Sequence, residues 1–197
     1  MMNQITIDLT NRLKRFINGS LDTRIYSASE VSFFEDKHIR VDYMMFKPLN
    51  NSVSGIEKGD FYCYEVKSSP KDFYSGHGLN FIGDFNYLVM TRDTFEIVKK
   101  DIPWDIGVYV PDEYRSLVSV SPCRRRNRKY PSSVMLLMMF RSSNRDKINF
   151  QIGINQVYEE IEFLKTYDEN ENGWGTTFSD GIYHMEQILI NNHLSIF

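Results

Sequence analysis

The sequence predicts an α/β protein in which helices cover a mixed β-sheet. Three observations indicate this class: an amphipathic helical pattern near the N-terminus, a series of short aromatic and β-branched runs bounded by turn formers, and a helix signal between two of those runs. The 197 residues are 42% hydrophobic and 25% charged, as expected for one domain, or one domain with an appendage. This composition excludes a disordered, collagenous or repeat protein.

The first half of the predicted core is a helix followed by three strands. Apolar residues recur at helical spacing from Ile5 to Phe16, and Gly19 stands where such a helix would end, so we expect a helix over residues 4–18. The segment between the second and third strands is rich in Pro, Asn and Gly, which predicts a long hairpin loop. The three predicted strands cover residues 24–34, 39–46 and 61–66.

The rest of the predicted core begins with a short helix. Pro70 is favoured at the first helical position, Ser69 would cap that helix, and Gly76 and Gly78 would end it early. A crossover then leads to a buried strand at 85–91, which gives the order helix, three strands, helix, strand. The remaining predictions are a helix at 92–100 and strands at 106–110 and 117–120.

Beyond Pro131 the pattern becomes helical. We therefore divide the chain into a core at 1–130 and a C-terminal helical extension at 131–197, which is either separate or part of the same domain. The Met-rich run at 135–139 is interpreted as helix core rather than as a lipid or partner surface. Helical patterns lie at 132–142, 155–167 and 181–193, and the middle one is acidic.

The sequence gives no sign of a membrane protein. No stretch is long and apolar enough to cross a bilayer, and Asp8, Asn11 and Arg12 interrupt the apolar pattern that a signal peptide needs. Cys63 and Cys123 are too few for a disulfide framework, so we expect two reduced thiols. The expectation is a soluble cytoplasmic protein without a nucleotide cofactor. Its net charge of −3 does not by itself indicate a nucleic-acid partner.

Three charged residues carry the strongest chemical signal. Glu65 and Lys67 project from one face of the third strand because successive side chains alternate, and Val66 points to the other face. If the second and third strands pair, Asp42 lies beside Glu65. Two carboxylates at close range repel unless a cation lies between them, which indicates a site for Mg²⁺ or Mn²⁺. Lys67 would then position or activate a water, or offset the charge of a phosphate.

The tripeptide Glu-x-Lys alone carries little information, because it also occurs at 35–37 in a polar turn. The context favours 65–67, since this copy ends an apolar strand, follows the strand-borne Asp42 and precedes a helix start. A salt-bridged Glu–Lys pair on the face of a sheet is the competing interpretation, and these residues alone do not decide between the two.

Asp42 and the tripeptide 65–67, on strands in this order, resemble the core of the PD-(D/E)XK nuclease superfamily, which has a restriction-endonuclease-like mixed sheet. The runs CYEVKSSPKDFYSGHGLNFIGDFNYLVM at 63–90 and IPWDIGVYV at 102–110 are similar to a small family of phage and mobile-element proteins of this type. The resemblance covers about residues 5–125. A phage-encoded member would work in the host cytoplasm.

This resemblance implies a magnesium-dependent deoxyribonuclease that hydrolyses phosphodiester bonds in DNA. Asp42 and Glu65 would be metal ligands, the main-chain carbonyl of Val66 a further ligand, and Lys67 the catalytic lysine. The metal would be Mg²⁺ or Mn²⁺.

The sequence leaves open which residue would be a further acidic metal ligand. Many superfamily members carry an additional acid on the first helix, where this chain offers only Asp8. We favour Glu30 because it lies nearer to the site in sequence. An exposed strand glutamate is the competing interpretation, and the number of bound metals depends on the choice.

Two other features are candidate DNA contacts. His77 lies between two glycines at the rim of the expected site and would contact a phosphate, or else it is an ordinary surface histidine. The segment 123–130 concentrates cations without an acid, which indicates either a backbone-phosphate contact or a solvated or packing surface. Its cations are Arg124, Arg125, Arg126, Arg128 and Lys129.

The sequence thus supports a metal-dependent DNA endonuclease as its first interpretation. The alternative is a non-catalytic phage protein that uses a nuclease-like fold to bind nucleic acid or a host protein, since folds are reused for unrelated functions. A homodimer assembled through the C-terminal helices is a third interpretation.

Overall fold

Residues 4–19, 22–33 and 39–145 are described by a computed structural model of the chain. The chain divides into two compact units, Met1–Ser143 and Asn144–Phe197. The helices within the described residues are α1 (Gln4–Asn18), α2 (Val53–Glu57), α3 (Pro70–Tyr74), α4 (Arg92–Val98) and α5 (132–145). The strands are β1 (Tyr26–Phe33), β2 (Ile39–Lys47), β3 (Asp60–Lys67), β4 (Phe85–Met90), β5 (Gly107–Pro111) and β6 (Leu117–Ser121).

The strands form one mixed sheet whose spatial order is the order of the sequence, from β1 to β6. The pairs β1–β2 and β2–β3 are antiparallel, the pairs β3–β4 and β4–β5 are parallel, and β6 returns antiparallel to β5. The two parallel pairs need crossovers, and these crossovers contain α3 and α4. The mixed sheet that the sequence predicts is therefore confirmed.

One face of the sheet is covered by α1. Leu9, Leu13 and Ile17 are spaced four residues apart, so they form a single apolar stripe along the helix. This stripe packs in one core cluster with Tyr64 and Val66 of β3. The helix predicted over residues 4–18 is confirmed at both ends.

The opposite face of the sheet is covered by α5 in one core cluster and by α3 and α4 in another. Met135 of α5 packs with Phe61 of β3 in the first cluster. Phe73 of α3 and Val98 of α4 pack with Leu88 of β4 in the second. The Met-rich run is thus helix core, as the sequence indicates.

One feature differs from the sequence prediction. The segment between β2 and β3, predicted as a loop, contains α2, because Ser52 caps this short helix by accepting a hydrogen bond from the Gly55 N–H at 3.0 Å. Residues 131–143 belong to the first compact unit and α5 packs on the sheet, while the division into a core and a C-terminal extension stays a prediction.

Some sequence predictions concern residues outside the part of the chain that the structure describes. The helices predicted at 155–167 and 181–193 lie outside the described residues. In the described part of the chain, none of the helices is both long enough and apolar enough to cross a membrane. Cys63 and Cys123 are free cysteines.

Candidate metal centre

The candidate site lies where β2 and β3 separate. Their ladder ends at the pair Tyr43–Tyr64, and one further step in the same register sets Asp42 opposite Glu65. β3 itself continues along β4 as far as Lys67. The last residues of β3 therefore lack a strand partner on the β2 side.

Asp42 fills part of this gap with its side chain. Its Oδ2 accepts a hydrogen bond from the main-chain N–H of Val66 at 2.8 Å. The N–H and C=O of one residue in an extended strand point to the same side. The Val66 carbonyl therefore faces the same gap, where it is oriented to serve as the metal ligand that the sequence resemblance implies.

Glu65 and Lys67 lie on the sheet face opposite α1. Both side chains are buried, with exposed fractions of 4% and 3%. Between them, Val66 points to the α1 face, so the alternation expected from the sequence holds. Burial of two ionisable side chains on adjacent same-face positions is costly unless each has a partner.

The two carboxyl groups are electrostatically coupled. The pKa of Glu65 is raised to about 10, first because the group is buried and second because Asp42 carries negative charge nearby; Lys67 opposes this rise. Burial also raises the pKa of Asp42, against the hydrogen bond from Val66 and the charge of Lys67. A proton on Glu65 reduces the repulsion between the two carboxyl groups. A divalent cation would do the same and would replace that proton.

Lys67 has partners outside the strands. Its Nζ donates a hydrogen bond to the main-chain carbonyl oxygen of His77. The same Nζ lies 4.0 Å from Oδ1 of Asp72 on α3. His77 itself is exposed, and it is its carbonyl group that contacts the site.

The loop that follows α3 runs directly over the carboxylates. Gly78 has φ +73°, and a Cβ atom there would lie 2.5 Å from Oε2 of Glu65 and 3.3 Å from Nζ of Lys67. Only glycine fits this close approach in a left-handed conformation. Gly76 shares the same φ but faces open space.

Of the two candidates for a further acidic ligand, Glu30 lies nearer to the site. The register of β1 and β2 sets it opposite Asp42, with φ +48° and an exposed side chain. Asp8 belongs to α1 on the other face and pairs with Arg12 at 2.8 Å. A ligand role for Glu30 stays a prediction.

Sequence reasoning missed two charged residues near the site. Arg40 precedes Asp42 by two positions on the same strand and lowers the pKa of both Asp42 and Glu65. Its spacing of two residues from Asp42 on β2 is the sequence signal that could have identified it. The sequence pattern assigns no role to Asp72, because its approach to Lys67 depends on the turn between β3 and α3.

The basic run lies at the other end of the central strands. The main-chain N–H of Arg126 donates to the carbonyl of Asp84, and that of Lys129 donates to the carbonyl of Ile82, both just before β4. Glu65 and Lys67 lie near the opposite, C-terminal end of β3. The structure therefore does not bring the basic run next to the carboxylates.

Most arginines of this run are engaged in ion pairs. Arg125 pairs with Asp60 at 2.7 Å, and Arg126 pairs with Asp105 at 2.9 Å. Arg128 lies 3.5 Å from the buried carboxylate of Asp84 and donates to the Gly59 carbonyl at 3.0 Å. A cavity of about 550 Å³ is lined by Asp84, Arg125, Arg126, Asn127 and Arg128.

The residues present fit a lightly ligated divalent cation. Among the described residues, no three His, Cys, Asp or Glu side chains are grouped to hold a metal. The site offers two carboxylates and one main-chain carbonyl, all oxygen donors. Mg²⁺ is commonly held by one or two carboxylates while it keeps several waters, so this donor set suits it.

Comparison with known proteins adds information on the fold. No family model matches the chain, and no curated protein matches it. The chain is similar to a solved structure described as the SPO1766 protein of unknown function from Silicibacter pomeroyi, with a TM-score of 0.52 and 19% sequence identity. The similarity covers 74% of this chain and 90% of the other. It supports a mixed α/β fold.

Proposed function

We propose that the protein is a metal-dependent DNA endonuclease with a PD-(D/E)XK-type site. The observation that carries the proposal is the approach of Asp42 to the buried Glu65 and Lys67 where two strands separate. A salt-bridged Glu–Lys pair would explain two of these residues. It does not explain why the carboxylate of Asp42 lies close enough to raise the pKa of Glu65.

In this proposal Asp42, Glu65 and the Val66 carbonyl hold the cation. When bound, Mg²⁺ supplies positive charge that stabilises the negative charge developing on the phosphate oxygens. Glu65 would release its proton to solvent when the cation binds, and the positive charge of the cation would offset the repulsion between the Asp42 and Glu65 carboxylates.

Lys67 would contact the substrate in the same proposal. Its ammonium group donates to the His77 carbonyl in the absence of DNA. A non-bridging phosphate oxygen is a stronger acceptor for an ammonium group than a neutral carbonyl. We therefore expect the phosphate to take the place of the His77 carbonyl at Lys67, with the donated hydrogen bond offsetting charge in the transition state.

The test is cleavage of plasmid, linear and single-stranded DNA in Mg²⁺ or Mn²⁺. Glu65→Gln and Lys67→Met keep the size of each side chain but remove its charge, and we expect both variants to lose cleavage. Glu113→Gln and Lys100→Met change exposed residues of the same types and should cleave normally. Equal cleavage by all five proteins would show that the activity is not from this site.

Calorimetry with Mn²⁺ separates the endonuclease from its alternative. The endonuclease requires heat of binding that disappears in Glu65→Gln. Salt-sensitive DNA binding without any Mn²⁺ binding would instead support a non-catalytic nucleic-acid-binding protein.

A further inference from the structure

Asp72, the acidic residue of α3, lies close to Lys67. Its Oδ1 lies 4.0 Å from the Lys67 Nζ, and the Lys67 side chain is almost fully buried. A buried ammonium group has three N–H donors and is unfavourable without compensating acceptors or negative charge. The His77 carbonyl accepts one hydrogen bond and carries no net charge.

The position of Asp72 is fixed by its second carboxylate oxygen. Oδ2 accepts hydrogen bonds from the Ser68 N–H at 2.9 Å and the Ser68 hydroxyl at 3.2 Å. The main chain at Asp72 is fixed as well, since its N–H donates to the helix-capping hydroxyl of Ser69 at 3.2 Å. With Oδ2 engaged by Ser68, Oδ1 remains as the oxygen near the lysine.

We propose that Asp72 is a positioning residue that keeps the Lys67 ammonium at the metal centre. This inference rests on the proposed nuclease function. A divalent cation held by Asp42 and Glu65 would repel the nearby ammonium group, because the two carry like charge. The fixed carboxylate of Asp72 supplies the opposing attraction.

A purely structural role for Asp72 makes a different prediction. If Asp72 only closes the turn between β3 and α3, its charge is irrelevant and only its hydrogen-bond acceptor matters. Asp72→Asn keeps a carbonyl oxygen for Ser68 and removes the charge. Asp93→Asn is the matched control, because Asp93 lies in the first turn of α4 and is exposed.

The first measurement needs no activity. Urea unfolding of Asp72→Asn, Lys67→Met and the double variant forms a double-mutant cycle. We expect Asp72→Asn to lower the unfolding midpoint when Lys67 is present and to leave it unchanged in the Lys67→Met background. The effect of Asp93→Asn should be the same in both backgrounds. An Asp72→Asn effect that is equal in both backgrounds would overturn the pairing.

The second measurement is steady-state DNA cleavage in Mn²⁺. Loss of an outer-shell partner at a metal site typically costs about 10–100-fold in metal affinity or activity. We expect Asp72→Asn to lower kcat about tenfold with KM unchanged, and Asp72→Glu to recover part of the loss. Unchanged kcat in a folded Asp72→Asn protein would overturn the positioning role. If the unsubstituted protein cleaves no DNA, the nuclease proposal and the catalytic role fail together, while the unfolding cycle still decides whether Asp72 holds Lys67.

Discussion

The Asp42 carboxylate takes the place of a strand partner for Val66. It accepts the Val66 N–H at 2.8 Å just beyond the last β2–β3 pair. One side chain thus satisfies a main-chain group at the end of the ladder and brings a negative charge beside Glu65. The end of the β2–β3 ladder and the carboxylate pair therefore coincide at this contact.

This double role predicts different results for two substitutions of Asp42. Asp42→Ala removes the acceptor and leaves the Val66 N–H unsatisfied, which should cost about 1–3 kcal/mol in the free energy of unfolding. Asp42→Asn keeps an acceptor and should cost less, yet it removes a metal-ligating charge. Urea unfolding and Mn²⁺ calorimetry measure the two effects. Equal destabilisation by both substitutions would contradict the proposed hydrogen-bond role.

The raised pKa of Glu65 predicts how stability depends on pH. Its pKa is about 10 in the folded protein against a usual 4.5, so the folded state binds this proton more tightly than the unfolded state. The resulting stabilisation is fully present below pH 4.5 and is lost as pH rises towards 10. In EDTA, the free energy of unfolding should therefore fall between pH 5 and 9 more steeply than in Glu65→Gln. Parallel pH curves for the two proteins would contradict the raised pKa.

The loop over the site predicts a difference between two glycines. Gly76 and Gly78 both have φ +73°, so alanine at either position carries the same left-handed strain of about 1–2 kcal/mol. Only at Gly78 would the added methyl group meet Glu65 and Lys67. We expect Gly78→Ala to be the more destabilising and to change Mn²⁺ affinity, and Gly76→Ala to leave the affinity unchanged. Thermal unfolding and calorimetry measure both effects.

The basic run predicts separable effects on stability and on DNA binding. Arg128 bonds the Gly59 carbonyl and faces Asp84, so Arg128→Ala should lower the free energy of unfolding by about 1–3 kcal/mol. Arg124 is exposed, and its guanidinium lies over the Trp104 ring. If the run binds DNA, Arg124→Ala should reduce the slope of log K against log salt by about 1 while leaving stability nearly unchanged. An unchanged salt slope would limit the run to a structural role.

The elements that the sequence predicts well depend on local spacing. The apolar stripe of α1 and the cap and proline of α3 lie within a few residues of one another, so the pattern alone locates these helices. The adjacency of Asp42 and Glu65 is predictable because a hairpin connects their strands and the side-chain period is two. The short helix α2 was missed because Pro, Asn and Gly are common to loops and to helix ends.

The features that the sequence does not predict depend on the path of loops. Gly78 reaches Glu65, and Asp72 reaches Lys67, only because the chain turns back after β3. The ion pair of Arg126 with Asp105 joins the segment after β6 to the segment between α4 and β5. Composition and spacing carry no signal for such contacts, so a run of cations looks unpaired until the fold is known.

The separation of the two candidate DNA contacts along β3 has a consequence for substrate length. Glu65 and the Asp60 that pairs with Arg125 are five positions apart on this strand, or roughly 16 Å at about 3.3 Å per residue. A B-form duplex rises about 3.4 Å per base pair. A duplex that lies along β3 and reaches from the metal site to the basic run would have to span about five base pairs. This distance would therefore set the shortest DNA fragment that both sites can bind at once.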